Sequence, residues 1–291
     1  MAAAPYDAVS PEKQLRKDYF HLAKVGLYRD FASSTILLLV FLGYFGADGD
    51  VDAKLSRAHS VFRLFCQTEG YWVGLRSFSK AFFNYPRLSS YGWVNAKGSD
   101  CMALLAWISV LVTGYQNDVA SPGHVCMLDI VSQTAAAARE IWRTLNDHGL
   151  WLAFPCAVKL WNEERRFIRG YCKLARMCFT EFRFPGYAMK PKLHLMRHFE
   201  LEHAALLANP AMTFIPNPLA WGCEQNEDFI GRACRLSRRA DSRLLCTRVI
   251  KSIFAKGDIL HRRWLKHGPK RPVRRTRRKR GNSHACGVGN R

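Results

Sequence analysis

Hydrophobic and polar positions follow a helical period along most of the first 258 residues. In the segment 52–66 the apolar residues recur every three or four positions, which makes one helix face apolar. The segment 150–182 repeats this pattern, and its basic residues fall mainly between the apolar ones. These basic residues are Lys159, Arg165, Arg166, Arg169, Lys173 and Arg176. No β-branched alternation long enough for a sheet is evident. The pattern predicts a mostly α, irregular multi-helix domain.

Caps and breaks divide the pattern into helices. Ser10 and Pro11 suit a helix start, and the Gly/Asp-rich break at 46–50 ends the first apolar run. An aromatic, turn-rich stretch at 69–98 predicts short helices and loops, with a domain sub-boundary near it. The remaining helices are predicted over 100–116, 121–147, 192–208, 221–239 and 242–266.

Two apolar runs, 31–47 and 101–116, come close to the length of a membrane span. A span needs about 20 predominantly apolar residues, and both runs are short of this and contain small polar residues or glycine. Buried core helices are therefore the favoured interpretation. A membrane-associated protein with spans near 31–47 and 101–116 is kept as an alternative.

The charge of the chain is concentrated at its C-terminal end. The formal net charge is +21, and residues 259–291 contribute +12 of it, because Asp258 is the last carboxylate. Such a block cannot be buried, so 259–291 is predicted to be a disordered basic tail after a helical domain at 1–258. The tail suits polyanion binding or nuclear targeting. Its candidate nucleic-acid contacts are Lys270, Arg271, Arg274, Arg275, Arg277, Arg278, Lys279 and Arg280.

The ten cysteines lie scattered through apolar segments, and none forms a C-x-x-C pair. This distribution is typical of reduced thiols in a cytosolic or nuclear protein rather than of a disulfide framework. The candidate metal ligands are instead His194 and His198, which lie four residues apart and share a helix face. Histidines in this arrangement more often pack or form hydrogen bonds.

A cluster of acids and a row of arginines follow in the C-terminal half. Glu224, Glu227 and Asp228 suit either the N-terminus of a helix or one arm of a divalent-cation site. Helical spacing places several arginines where they suit phosphate contacts, although a solvated helix face explains them equally well. These arginines are Arg232, Arg235, Arg239 and Arg243.

Three short motifs carry a resemblance to a known family. The segment Lys190–His198, the later Glu227-Asp228-Phe229 and the upstream Lys97-Gly98-Ser99-Asp100 resemble the C-terminal helical part of CACTA-like cut-and-paste transposases. The resemblance implies that the Lys-Pro-Lys-x-His motif opens a helix. It also implies that Glu227, with Glu224 as a second candidate, corresponds to the last acid of an RNase H-like Asp-Asp-Glu trio.

Departures from the family limit what the resemblance implies. Ile230 stands where the family has Asn, and Arg239 or Asp241 stands where it has His. No strand-borne Asp pair precedes the helical part. We therefore expect a transposase-derived nucleic-acid-binding protein or fragment, nuclear and without catalytic activity by itself. No cofactor is expected, and Mg²⁺ would be needed only within an active transposase. The expected partner is DNA, although RNA and the oligomeric state stay open. A nuclear interaction scaffold is a further alternative.

Overall fold

The structure is a computed structural model that describes residues 17–87, 89–116 and 122–223, together with isolated positions between Lys251 and Lys266. The chain divides into two units, Met1–Glu224 and Gln225–Arg291. The described part of the first unit is mostly α, as the sequence predicts.

Six α-helices and two short strands form the described part of the first unit. A π-helical segment, Phe20–Leu27, leads directly into the first α-helix. The helices are α1 (Tyr28–Phe41), α2 (Val51–Glu69), α3 (Gly98–Gln116), α4 (Pro122–Asp147), α5 (Phe154–Met177) and α6 (Pro191–Leu207). A π-helical turn, Cys178–Phe182, follows α5, and a 3-10 turn, Pro218–Trp221, follows the second strand.

Helix α1 lies in the centre of the unit, with 12 of its 14 residues buried. A helix that is apolar on all sides is stable only where it is surrounded by other elements. Two of its small polar residues form hydrogen bonds with the loop before α6, whereas the buried hydroxyl of Ser33 has no hydrogen-bond partner among the described residues. Ser34 accepts a hydrogen bond from the backbone N–H of Tyr187 at 2.9 Å, and Thr35 exchanges one with the Tyr187 hydroxyl at 2.9 Å.

One described helix, α3, is long and apolar enough to cross a membrane, with a mean hydropathy of 1.3. About half of the apolar stretch of this helix, 56%, is buried inside the fold. Core helices of other proteins can be equally long and apolar. The finding is therefore weak support for the membrane alternative. The helix within the other predicted span, 31–47, ends at Phe41.

Helix α2 shows why the chain begins and ends helices where it does. The Asp50 side chain accepts a hydrogen bond from the backbone N–H of Ala53 at 2.8 Å, which satisfies a donor of the first turn. Gly70 ends the helix with φ +75°, a left-handed conformation that glycine adopts without a Cβ penalty. In the described residues from Tyr71 to Lys97 no helix forms, so the short helices predicted for 69–98 are absent there, but the predicted aromatic packing is present. The Phe62 ring lies 5.5 Å from Phe78 and 5.3 Å from Trp107 between centroids.

A two-stranded antiparallel sheet accompanies the helices, although the sequence shows no alternation long enough for a sheet. Strand β1 (Trp151–Ala153) pairs with β2 (Phe214–Pro216), and the central pair, Leu152 and Ile215, is buried. Strands of three residues are too short to show an alternating pattern, so only their long-range pairing reveals them. The sheet joins the residues before α5 to those after α6.

The described positions of the second unit are few. Lys251, Phe254, Asp258 and the other described positions up to Lys266 are helical and exposed. Arg262 Nε lies 2.9 Å from Asp258 Oδ2. The helix predicted over 221–239 does not begin at Trp221, because Trp221 ends the 3-10 turn and Gly222 is extended. The rest of that predicted helix (224–239), most of the predicted helix 242–266 and residues 267–291 of the predicted tail lie outside the described residues, as does the helix start predicted at Ser10 and Pro11. The predicted domain boundary at residue 258 therefore stays a prediction.

Candidate nucleic-acid interface

A row of cations follows the solvent face of α5. Five exposed basic residues recur at helical spacing: Lys159, Arg166, Arg169, Lys173 and Arg176. Intervals of three and four residues keep side chains on one helix face. The opposite face is buried, with Leu160, Phe167 and Tyr171 fully inside the core. Amphipathic packing of α5 therefore orients the five cations towards solvent.

Acidic side chains neutralise only part of this row. Lys159 forms an ion pair with Glu140 of α4, and Arg166 Nη1 lies 3.6 Å from Glu163 Oε2. In the part of the chain that the structure describes, no carboxylate lies within 4.0 Å of a charged nitrogen of the other three, Arg169, Lys173 and Arg176. The second half of the row therefore carries an uncompensated positive charge.

A polar groove of about 430 Å³ lies beside the row, between α4 and α5. Basic side chains form one wall, namely Arg165, Arg166, Arg169 and Lys173. The opposite wall includes Asp129, whose carboxylate accepts a hydrogen bond from Gln133 Nε2 at 2.7 Å. Arg166 is paired with Glu163, and Arg165 Nε lies 3.6 Å from Glu200 Oε1, so Arg169 and Lys173 supply the excess positive charge of the groove. This excess favours the binding of a phosphate or another anion.

The length of the row suits a polynucleotide better than a single small anion. From Arg169 to Arg176, the unpaired half of the row, the helix rises about 10 Å at about 1.5 Å per residue. About three base pairs of duplex DNA cover the same distance along the helix axis. A row of this length can contact several phosphates, and such contacts give affinity without reading base sequence.

The sequence-predicted acids and arginines of the C-terminal half lie outside the described residues. They are Glu224, Glu227, Arg232, Arg235, Arg239, Arg243 and the tail cations from Lys270 to Arg280. Their roles remain predictions.

The row on α5 was visible in the sequence only as basic residues between apolar ones. Which of these residues stay unpaired depends on the acids that α4 and α6 bring near them.

The two histidines predicted as weak metal candidates do meet. His194 Nε2 and His198 Nε2 lie 2.9 Å apart on the exposed side of α6. Among the described residues, no third histidine, cysteine or acid joins them to complete a cluster of three ligand atoms. A hydrogen bond between the two rings accounts for this geometry, and metal binding by this pair stays a prediction.

The lysines beside them attach α6 to α1 and to the π-helical segment before it. Lys190 Nζ lies 2.8 Å from the buried carboxylate of Asp30, and Lys192 Nζ donates a hydrogen bond to the His21 carbonyl at 3.0 Å. Burial lowers the pKa of Lys192, and the nearby Arg29 lowers it further. Helix α6 begins at Pro191, so the Lys-Pro-Lys-x-His segment does open a helix. In this chain its lysines have structural partners.

An apolar groove of about 1060 Å³ lies near the C-terminal end of α5 and the loop before α6. Its wall includes the exposed side chains of Phe179 and Met189, and Arg176 and Arg183 also line it. Arg183 has φ +50° and caps the π-helical turn, so the chain reverses there. The groove is continuous with the row of cations through Arg176.

The buried cysteines of this unit do not supply reactive thiolates. Burial raises the pKa of Cys101 to about 12 and, together with Glu181, that of Cys178 to about 12. Thiols with such values stay protonated at neutral pH and pack as small apolar groups.

Comparisons with known proteins identify no relative of this chain. No family model matches the chain, and neither the curated proteins nor the solved structures contain a match.

Proposed function

We propose that this protein binds nucleic acid, and DNA in particular, through phosphate contacts. The observation that carries the proposal is the exposed half-row Arg169, Lys173 and Arg176, which has no acidic partner among the described residues. Unpaired cations at helical spacing on a solvent face match the repeating charge of a polynucleotide backbone. The basic composition of residues 259–291 supports the same function.

A nuclear, transposase-derived protein is part of the same proposal. Its support is the segment Lys190–His198, which opens α6 as the resemblance implies. In this view the chain acts as a binding module, and Glu227 or Glu224 contributes to Mg²⁺-dependent chemistry only if further carboxylates complete the site.

The test is a salt titration of binding to a fluorescent random-sequence duplex, with single-stranded DNA and duplex RNA of equal length for comparison. Replacing Arg169, Lys173 and Arg176 together by Gln should weaken binding. It should also reduce the slope of log affinity against log salt by about one unit for each lost phosphate contact.

A matched control removes three other exposed cations. Arg63, Arg76 and Arg87 are exposed and have no ion-pair partner among the described residues, so replacing them by Gln changes the net charge equally. The proposal predicts a smaller loss for this control. Equal losses of affinity in the two variants would mean that binding depends on the total charge of the protein and not on the position of the cations on α5.

A second comparison uses a chain that ends at Asp258. Residual salt-dependent binding by this shorter chain would support phosphate contacts from the helical unit. Loss of all binding would leave the tail as the only contact. If the full chain does not bind nucleic acid at low salt, the proposal fails. The membrane and scaffold alternatives then become the favoured ones.

A further inference from the structure

Asp18, His21 and Cys223 bring three metal-ligand atoms together at one point. Cys223 Sγ donates to Asp18 Oδ2 at 2.6 Å and lies 3.1 Å from His21 Nδ1, and His21 Nδ1 also contacts Asp18 Oδ2. All ligand atoms lie within 4.8 Å of one another. The cluster is independent of the cation row on α5.

The local structure holds the first two ligands on one side of the chain. Asp18 lies just before the π-helical segment Phe20–Leu27 and His21 lies within it, and His21 Nδ1 contacts the Asp18 carboxylate. The second carboxylate oxygen, Asp18 Oδ1, accepts the backbone N–H of Phe20 at 3.0 Å. This bond orients the carboxylate and leaves Oδ2 towards the histidine and the thiol.

The turn before the third ligand, Cys223, is held by the buried Asn217. Asn217 is 2% exposed, and its Nδ2 donates to the carbonyls of Leu145 and Gly149, each at 2.8 Å. Its Oδ1 accepts the N–H of Leu219 at 3.0 Å, which starts the 3-10 turn leading to Cys223. These bonds fix the backbone a few residues before Cys223.

The cluster is accessible from solvent. The three side chains are half-buried, and His21 is 46% exposed, so an ion can reach the cluster from solvent.

The donor set selects among metal ions. A thiolate with an imidazole is unsuited to Mg²⁺ and Ca²⁺, which prefer oxygen ligands, and suits Zn²⁺. Tetrahedral Zn²⁺ with these donors needs ligand atoms about 3.4–3.6 Å apart. The cluster reaches that spacing if its atoms separate by about 0.5 to 1 Å, which side-chain rotation supplies.

We infer that Asp18, His21 and Cys223 form a Zn²⁺ site and are its ligands among the described residues. Because its ligands are 205 residues apart in sequence, the ion closes a long loop and stabilises the first unit. Nothing in the sequence spacing indicates this site, since Asp-x-x-His and a distant single cysteine match no common zinc pattern.

The test uses the full-length chain, stripped of metal by a chelator and titrated with Co²⁺ as a spectroscopic substitute for Zn²⁺. One equivalent should produce a thiolate-to-cobalt charge-transfer band together with the visible bands of a four-coordinate ion. Zn²⁺ should then displace Co²⁺ and remove both. Cobalt binding without a thiolate band would overturn the inference.

Variants decide which residues hold the ion. Cys223→Ser and His21→Gln should each abolish the thiolate band or weaken Co²⁺ binding at least about tenfold, as loss of a metal ligand requires. The exposed Cys126→Ser is the cysteine control, and His194→Gln with His198→Gln removes the other histidine pair. Both controls should keep the band. A band that survives Cys223→Ser, or that disappears with the histidine pair, contradicts the assignment.

A measurement on the unaltered protein avoids dependence on the folding of the variants. Zn²⁺ should slow alkylation of Cys223 by iodoacetamide at least about tenfold, because a metal-bound thiolate is not free to react. The rate at the exposed Cys126 should not change, as peptide mass spectrometry of both sites would show. Equal rates at Cys223 with and without Zn²⁺ would refute the site.

Discussion

The hydroxyl oxygen of Thr134 lies 1.9 Å from the position that a Cβ atom on Gly170 would occupy. Thr134 belongs to α4 and Gly170 to α5, so the missing side chain allows the two helices to approach closely. Thr134 is 1% exposed and donates its hydroxyl to the Ile130 carbonyl at 2.7 Å. A glycine inside a helix ordinarily lowers stability, and close packing explains its presence here.

Gly170→Ala should therefore lower the free energy of unfolding by about 1 to 3 kcal/mol, even though Ala is the better helix former. The new methyl group displaces the Thr134 side chain and breaks its hydrogen bond. Urea unfolding followed by circular dichroism measures the change. Combining it with Thr134→Ala should recover part of the loss, since the smaller side chain leaves room. Strict additivity of the two changes would contradict the close contact.

The ion pair between Lys190 and Asp30 gives a second prediction. The Asp30 side chain is 7% exposed, so Lys190→Met leaves a buried carboxylate without this partner. We expect a loss of about 2 kcal/mol in the free energy of unfolding. Adding Asp30→Asn should reduce the penalty. The exposed Lys97→Met serves as the control and should change stability little. Unchanged stability in Lys190→Met would show that the pair is not structural.

The buried carboxylate of Glu164 organises the contact between the N-terminal helix, α5 and α6. It accepts hydrogen bonds from the Tyr19 hydroxyl at 3.0 Å and from His203 Nδ1 at 2.8 Å, and its side chain is fully buried. Glu164→Ala should lower the free energy of unfolding by about 3 to 5 kcal/mol, because it leaves two buried donors unpaired. The exposed Glu69→Ala should have little effect in the same urea experiment.

His203 should make stability depend on pH. Burial lowers its pKa, but the charge and the hydrogen bond of Glu164 outweigh burial, so the folded pKa lies above the ordinary value. The folded state therefore holds its proton more tightly than the unfolded state. This stabilisation is complete below about pH 6.5 and is lost as pH rises through the raised pKa. Urea unfolding of wild type and His203→Gln across neutral to alkaline pH tests this. Parallel profiles would contradict it.

Glu140 joins α4 to the start of the cation row. Its hydrogen bonds with Arg143, together with those of Lys159, lower its pKa to about 2. Glu140→Gln should reduce the free energy of unfolding by about 1 kcal/mol near pH 7, a value that allows for solvent screening.

The pH dependence of this difference has a definite sign. A lowered folded pKa contributes stability above the ordinary value of 4.5, and this is lost as pH falls towards about 2. The wild type and Glu140→Gln should therefore converge in acid. The exposed Glu181→Gln is the control, and it should follow the wild type at all pH values. A constant difference down to pH 2 would show that charge pairing is not the cause.

The sequence predicted the helices well because their signals are local. Helix α2 follows from its apolar spacing and from the break at 46–50, and α6 begins at Pro191 within a segment that resembles a helix start. The burial of α1 follows from an apolar surface on all sides. The pattern in α5 likewise predicted that its basic residues lie on a different face from its apolar residues.

The candidate sites required the tertiary structure. Whether Arg169 is paired depends on acids from neighbouring helices, and spacing within α5 carries no information about them. The pairing of Lys190 with Asp30 joins residues that lie far apart in the chain. The cluster of Asp18, His21 and Cys223 spans 205 residues, and packing of the N-terminal helix near the loop after β2 creates it.

What the sequence by itself determined was therefore the mostly α class, the approximate bounds of α2, α3, α4 and α6, and the excess of positive charge. Periodicity and capping act within a few residues, so they can be recognised along the chain. The tertiary structure alone decided which cations stay unpaired, which lysines are structural and where three ligand atoms meet. These depend on long-range packing, in which side chains remote in sequence share a small volume.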